Sequence, residues 1–296
     1  METHILLPTH NRVELLKRCL NSLVPLAGEL EGTTLHVIEN GSRVAEALTA
    51  GYTDRLPIQY HYVEEGNKSV ALNTVIEQLP VNALHIFFDD DVAVRPGTVM
   101  AFREVARKMG RGHYFGGVLY PAYEVEPAPG MEPYLSPSAK KVDMSAGQDL
   151  RGFKEFRDFL GAVWACFGED LNTAGGFDGR YGPGGYTGSR GQETDAQLRL
   201  FQQGCRPVFV RAAGVDHHVT AEMVTTSYTV DRIFRSTIHK GRHDPSLVHS
   251  LGLAAKMIYS VLLLPLQPGS VGHLYRIAKA AGYFRGLSLG AAKDDH

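Results

Sequence analysis

Three consecutive carboxylates, Asp89-Asp90-Asp91, follow directly on the apolar run His85-Ile86-Phe87-Phe88, and Val94-Arg95-Pro96-Gly97 then turns the chain. A buried strand that delivers acidic side chains at its carboxyl end can hold a divalent cation. Carboxylate oxygens suit hard ions such as Mg²⁺ and Mn²⁺, which share their shell with waters and substrate phosphates. In open α/β sheets the ligand lies in the crevice outside those strand ends. A solvated acidic turn is the plainer reading of one or two aspartates. Three in a row after Ile-Phe-Phe demand compensating charge, which favours the cation.

The surrounding pattern supplies elements that would position such a site. Ile5-Leu6-Leu7, Thr34 to Ile38, Ile58 to Val63 and His85 to Phe88 read as strands. Between them Val13, Leu16, Cys19, Leu20 and Leu23 have helical spacing, and Ser69 to Leu79 reads as a helix. Thr98 to Met109 is the next. Alternation of strand and helix predicts a mostly parallel sheet flanked by helices. Residues 121–150, rich in Pro, Ser, Ala and charge, read as a long loop or lid. Phe153 to Phe159 reads as a short helix, Gly161 to Cys166 as a strand, 178–191 as a second glycine-rich lid, and Gln192 to Gln203 as a helix with acids in its first turn. Pro207 to Val210 is a late strand leading to Val215-Asp216-His217-His218-Val219.

Composition bounds the rest. At 296 residues the chain fits one large domain or one domain with appendages. A net charge of −2 gives no basic signature of nucleic-acid binding. Cys19, Cys166 and Cys205 form no metal or redox spacing, which points to a reducing compartment. The amino terminus leaves no room for a signal segment, so the expected location is cytoplasmic. Leu251 to Leu266 is mostly apolar, but Lys256 interrupts it and Pro265 stops it short of a span. A core helix is the first reading, and an interfacial helix at the inner face of a membrane is the second. Further helices are expected at Tyr228 to His239 and Tyr275 to Leu287, with basic residues that could touch lipid or a second copy.

Six motifs in order give the chain a family resemblance. Pro8-Thr9-His10-Asn11-Arg12, Val37-Ile38-Glu39-Asn40-Gly41-Ser42, Gly66-Asn67-Lys68-Ser69-Val70-Ala71-Leu72-Asn73, Asp89-Asp90-Asp91, Gly175-Gly176-Phe177-Asp178 and Gln192-Glu193-Thr194-Asp195 with Arg199-Leu200 are similar to segments of the GT-A fold glycosyltransferases of family 2. The resemblance runs from Ile5 to about His218. It implies a glycosyltransferase domain over 1–244, with a donor half at about 1–120 and an acceptor half at about 121–244, followed by a helical extension over 245–296.

The resemblance also implies roles. Thr9, Arg12, Glu39, Lys68, Asp89 and Asp90 would bind a nucleotide-sugar donor, Glu39 by accepting a hydrogen bond from base or ribose and Lys68 by meeting the diphosphate. Asp91 and His217 would hold Mn²⁺ or Mg²⁺; strand alternation allows just one of His217 and His218 to point inward. Glu193 would be the general base of an inverting transfer to a hydroxyl acceptor, where the family usually carries Asp. Asp195 and Trp164 are weaker candidates for the acceptor, Trp164 as a stacking platform. UDP- or dTDP-sugars are the implied donors, with GDP-sugars next; the acceptor is a glycan, a lipid-linked intermediate or a small molecule.

Two other classes compete. A sugar nucleotidyltransferase would carry a glycine-rich basic loop after its first strand, and Pro8 to Arg12 has no glycine. A non-catalytic nucleotide-sugar-binding or scaffold protein would not need Asp89, Asp91 and Glu193 together. No G-x-G-x-x-G follows a strand, which argues against a dinucleotide enzyme.

Overall fold

The computed structural model describes residues 1–146, 152–186, 191–243 and 246–289. The described chain divides into two compact units, Met1–Ala122 with Lys141–His218, and Tyr123–Lys140 with Val219–His296. These divisions fall elsewhere than at 244, because residues 123–140 pack with the carboxy-terminal helices.

In the first unit the chain runs β1 (Thr3–Thr9), α1 (Val13–Leu23), β2 (Thr33–Asn40), α2 (Glu46–Ala50), β3 (Ile58–Val63), α3 (Lys68–Ile76), β4 (Leu84–Phe88), β5 (Val92–Val94), α4 (Thr98–Met109), β6 (His113–Tyr123), β7 (Val163–Phe167), α5 (Gly168–Thr173), α6 (Gln192–Gln202) and β8 (Arg206–Val219). One sheet of order β3-β2-β1-β4-β7-β6-β8-β5 results. Its first four strands are parallel, as the alternating pattern predicts, while β4–β7, β6–β7 and β5–β8 are antiparallel. None of these antiparallel pairs is a tight hairpin: long connections separate β4 from β7, β6 from β7 and β5 from β8.

The strands β1 and β4 are buried along their whole length, as expected of strands covered on both faces. The predicted stripe on α1 buries Leu16, Cys19, Leu20 and Leu23. Helix α3 starts at Lys68 because the Asn67 side chain accepts from the backbone N–H groups of Ser69 and Val70. No helix forms over Phe153 to Phe159. That segment is tied instead to its neighbours, Phe153 N–H donating to Pro207 O at 2.9 Å and Phe159 N–H to the Gln197 side chain at 2.6 Å.

The 121–150 stretch is not simply a lid. β6 carries on to Tyr123, short 3-10 turns follow at Glu132–Tyr134 and Pro137–Ala139, and Met131, Leu135 and Ala139 are buried with Val219 and Val224. Apolar residues four apart turn one side of an otherwise polar segment into core. Residues 147–151, and 187–190 of the second expected lid, lie outside the described residues.

The rest of the second unit is helical: α7 (Thr226–His243), α8 (Leu247–Leu263) and α9 (Val271–Leu289). Leu253 of α8 packs with Ala280 and Tyr283 of α9. The expectation of a core helix near 251–266 fails on the other face, where Leu251, Ile258, Leu262 and Leu266 are more than half exposed. Among the described residues no helix is long and apolar enough to cross a membrane.

Candidate active site

The carboxyl ends of the parallel strands bring together residues up to about two hundred positions apart. Leaving β1, Thr9 is buried, and its hydroxyl donates to Asp90 Oδ2 at 2.7 Å. Asn11 then takes a positive φ of 54°, which turns the loop toward α1. Arg12 follows and reaches back, its guanidinium 3.2 Å from both Asp90 Oδ1 and Asp91 Oδ2.

From the start of α3, Lys68 Nζ lies 2.7 Å from Asp89 Oδ1 and 2.9 Å from Glu193 Oε1. The ammonium is nearly buried, at 15% side-chain exposure, so the pairing carries weight that a surface contact would not. Burial alone would lower its pKa, but Asp89 and Glu193 outweigh that and raise it, so Lys68 stays charged. Burial likewise works against Asp89, yet Lys68 holds that carboxyl below the ordinary range. The other two aspartates go the opposite way. Burial, then the neighbouring carboxylate, pushes Asp90 and Asp91 each up to about 6 despite Arg12. Negative charge is therefore in excess at Asp90 and Asp91.

Strand β8 supplies the histidine. Its antiparallel pairing with β5 sets His217 opposite Val92, and His217 Nε2 lies 3.5 Å from Asp91 Oδ1. Alternation sends His218 the other way, where its ring meets Arg18 at 2.6 Å and its backbone N–H donates to Asp91 O at 2.8 Å. Asp91 Oδ1 is buried and accepts no hydrogen bond from any described residue. A buried carboxylate oxygen with excess negative charge, facing an imidazole nitrogen, fits a small divalent ion. No cluster of three or more metal-ligating side chains occurs among the described residues, so the rest of the ion's shell would be water and ligand oxygens.

Glu193 stands in the first turn of α6, preceded by Gly191 in the left-handed region with φ 102°. Gln192 beside it is buried and donates to Glu193 Oε1. Opposite is Gly161, where a Cβ would come within 2.7 Å of the Glu193 side chain; glycine there leaves room for the carboxylate.

Three expected site residues are placed differently. Glu39 is wholly buried and accepts from the N–H groups of Val44 and Ala45 and from Tyr60 Oη at 2.6 Å. Its carboxylate braces the turn after β2 and has no face left for a base. Trp164 is also fully buried, stacked on Phe87 at 4.4 Å, and borders a cavity of about 10 Å³ beside Lys68 and Glu193. That space is far too small for a sugar ring. Asp195 is held by Arg199 at 2.7 Å; Arg199 in turn donates to the carbonyls of Ala174 and Gly176. The pair ties α6 to the Gly175-Gly176 turn.

Positioning residues that the motifs contained but residue types alone do not reveal also appear. Asn73 bonds both the N–H and the carbonyl of Phe177, at 2.9 and 2.7 Å. Asn67 donates to Gly179 O and Ser69 to Tyr181 O. The start of α3 thereby carries the loop that leads toward Glu193. The signal was the pairing of two motifs, each made of side chains that bond the other's backbone.

A mixed sheet with acids at the end of its fourth strand, basic side chains folded over them and a carboxylate at a later helix start is the arrangement of GT-A fold glycosyltransferases. The profile of Glycosyl transferase family 2 matches residues 4–160, and the chain belongs to that family. Among solved structures it resembles the mannosyltransferase PcManGT of Pyrobaculum calidifontis in complex with GDP-Man and Mn²⁺, with a TM-score of 0.60 and 13% identity over 97% of this chain and 87% of that one. It also resembles residues 1-349 of TarS from S. aureus in complex with UDP-GlcNAc, with a TM-score of 0.55 and 11% identity over 96% and 89% of the two chains. At such identity the likeness concerns the fold. No curated protein sequence matches the chain.

Proposed function

We propose that the site transfers a sugar from a nucleotide-sugar donor to an acceptor hydroxyl, with inversion at the anomeric carbon. The observation that carries this reading is Lys68, which holds Asp89 and Glu193 on one ammonium. It links the acidic strand end, where a donor's ribose and diphosphate would lie, to a carboxylate suited to proton abstraction.

Thr9 and Arg12 orient Asp90 and Asp91. Asp91 and His217 are the residues that would hold Mn²⁺ or Mg²⁺, whose chemistry is to neutralise charge on the departing nucleoside diphosphate. Lys68 uses two of its three N–H groups on the carboxylates and has one for a diphosphate oxygen. Glu193, steadied by Gln192 and Lys68, takes the proton of the acceptor hydroxyl as its oxygen attacks. UDP- or dTDP-sugars are the proposed donors, with GDP-sugars second; Glu39, enclosed in its own turn, does not select among them.

The test is thermal unfolding with UDP-, dTDP- and GDP-sugars, each with and without Mn²⁺ or Mg²⁺. One nucleotide that stabilises with metal alone, by close to 3 kcal/mol at about a hundred times its dissociation constant, is expected. The anomeric configuration of the product, read by NMR, tests inversion, and retention would refute it. Absence of any shift across the panel would refute donor binding at this site.

A further inference from the structure

In the second unit, α8 is apolar on both sides. Its inner side packs on α9 through Leu253, yet Leu247, Val248, Leu251, Ile258, Tyr259 and Leu262 stand exposed by 57–82%. A helix that is hydrophobic all round ordinarily has both sides covered. Exposed apolar surface concentrated on one helix marks an interaction site.

The charge around it says what covers it. From Ser246 to Leu289 the sequence has no Asp or Glu, and it carries Lys256, Arg276, Lys279 and Arg285. Lys256 interrupts the apolar run of α8 in sequence, and with Arg276 and Lys279 of α9 it lines an open cavity of about 600 Å³ beside the exposed apolar face. None of these three cations forms an ion pair with a described residue. Tyr134 and Tyr275, their rings 5.3 Å apart, border the same cavity. At Gly252, on its wall, a Cβ would meet nothing within 4 Å.

We propose that this face docks on an anionic phospholipid membrane. The outer side of α8 lies in the interface with its apolar side chains among the acyl chains, and Lys256, Arg276 and Lys279 receive headgroup phosphates. Apolar insertion together with cations beside it is the combination that holds an amphipathic helix in a bilayer surface. Arg and Lys bind phosphate through charge-assisted hydrogen bonds, and tyrosines favour the headgroup level. A second copy of the chain fits worse. Two-fold pairing through this face would gather two sets of these cations in one interface, with no acid between residues 246 and 289 to offset them. The proposal is independent of the transferase reading.

The experiment is flotation of the full chain with vesicles of phosphatidylcholine alone or mixed with phosphatidylglycerol, at low and high salt. Wild type is expected to float with the anionic vesicles and to be released in part by salt, which screens surface charge. The variant I258E/L262E should lose flotation, and these exposed sites allow folding, verified by an unchanged unfolding midpoint. Lys256→Gln and Lys279→Gln should each weaken anionic-vesicle binding about fivefold. Wild type that stays unbound with both vesicle types, or I258E/L262E that floats as well as wild type, would overturn the proposal. So would a dimer in sedimentation that I258E/L262E dissolves with no vesicle binding. Inorganic phosphate that stabilises the protein while vesicles do not bind would reassign the cavity to a soluble anion and equally overturn it.

Discussion

His85, at the start of β4, offers a pH test of the sheet that carries the acidic strand end. The imidazole is fully buried, and burial, followed by the nearby His4, lowers its pKa from 6.5 to about 4. A histidine depressed in the folded state contributes its full stability above 6.5, and that contribution disappears as pH falls toward 4. Between about pH 7 and about pH 5 the unfolded chain takes up a proton that the folded chain refuses, which costs about 2 kcal/mol. For a unit of this size that corresponds to an unfolding midpoint about 4–8 °C lower. Asp90 and Asp91, raised to about 6, titrate with the opposite sign and gain stability over part of the same range. The readout is therefore the difference between wild type and His85→Leu, both without metal, because the aspartates are present in each and cancel. Thermal unfolding monitored by circular dichroism should show the gap shifting by about 2 kcal/mol toward the variant as pH is lowered. A gap that is constant with pH would refute the argument that burial keeps His85 neutral.

Three other outcomes follow from the site. Glu193→Gln should leave donor binding intact and lower the transfer rate by a factor of about 10²–10⁴, read as kcat against donor dissociation constant; wild-type turnover would refute the base assignment. Asp91→Ala should abolish the part of donor stabilisation that depends on Mn²⁺ or Mg²⁺ in a thermal-shift titration, and a retained metal effect would move the ion elsewhere. Lys68→Met leaves two poorly exposed carboxylates without their cation and should cost about 3–5 kcal/mol in chemical denaturation. A neutral effect would show that the two carboxylates do not need it.

Much of the parallel half of the sheet was legible in the sequence because its signals are local. The apolar run ending in Asp89 and the helical stripe from Leu16 to Leu23 each depend on neighbours within a few positions. Alternation of such elements was enough to imply a mostly parallel sheet flanked by helices, and the ordered motifs were enough to imply the family. Strand alternation also narrowed the late strand to one inward histidine.

Tertiary structure decided what those residues touch. Lys68 meets Glu193 across 125 positions, and no local pattern records that the ammonium joins two carboxylates. Pairing of β5 with β8 chose His217 over His218. Glu39 and Trp164 are of types suited to a site, yet the turn after β2 and the ring of Phe87 enclose them. The apolar run in α8 was visible, but whether its outer side would be covered depended on which elements pack around it. Local propensity arises from a residue and its chain neighbours; burial and charge pairing arise from segments that the fold alone brings together.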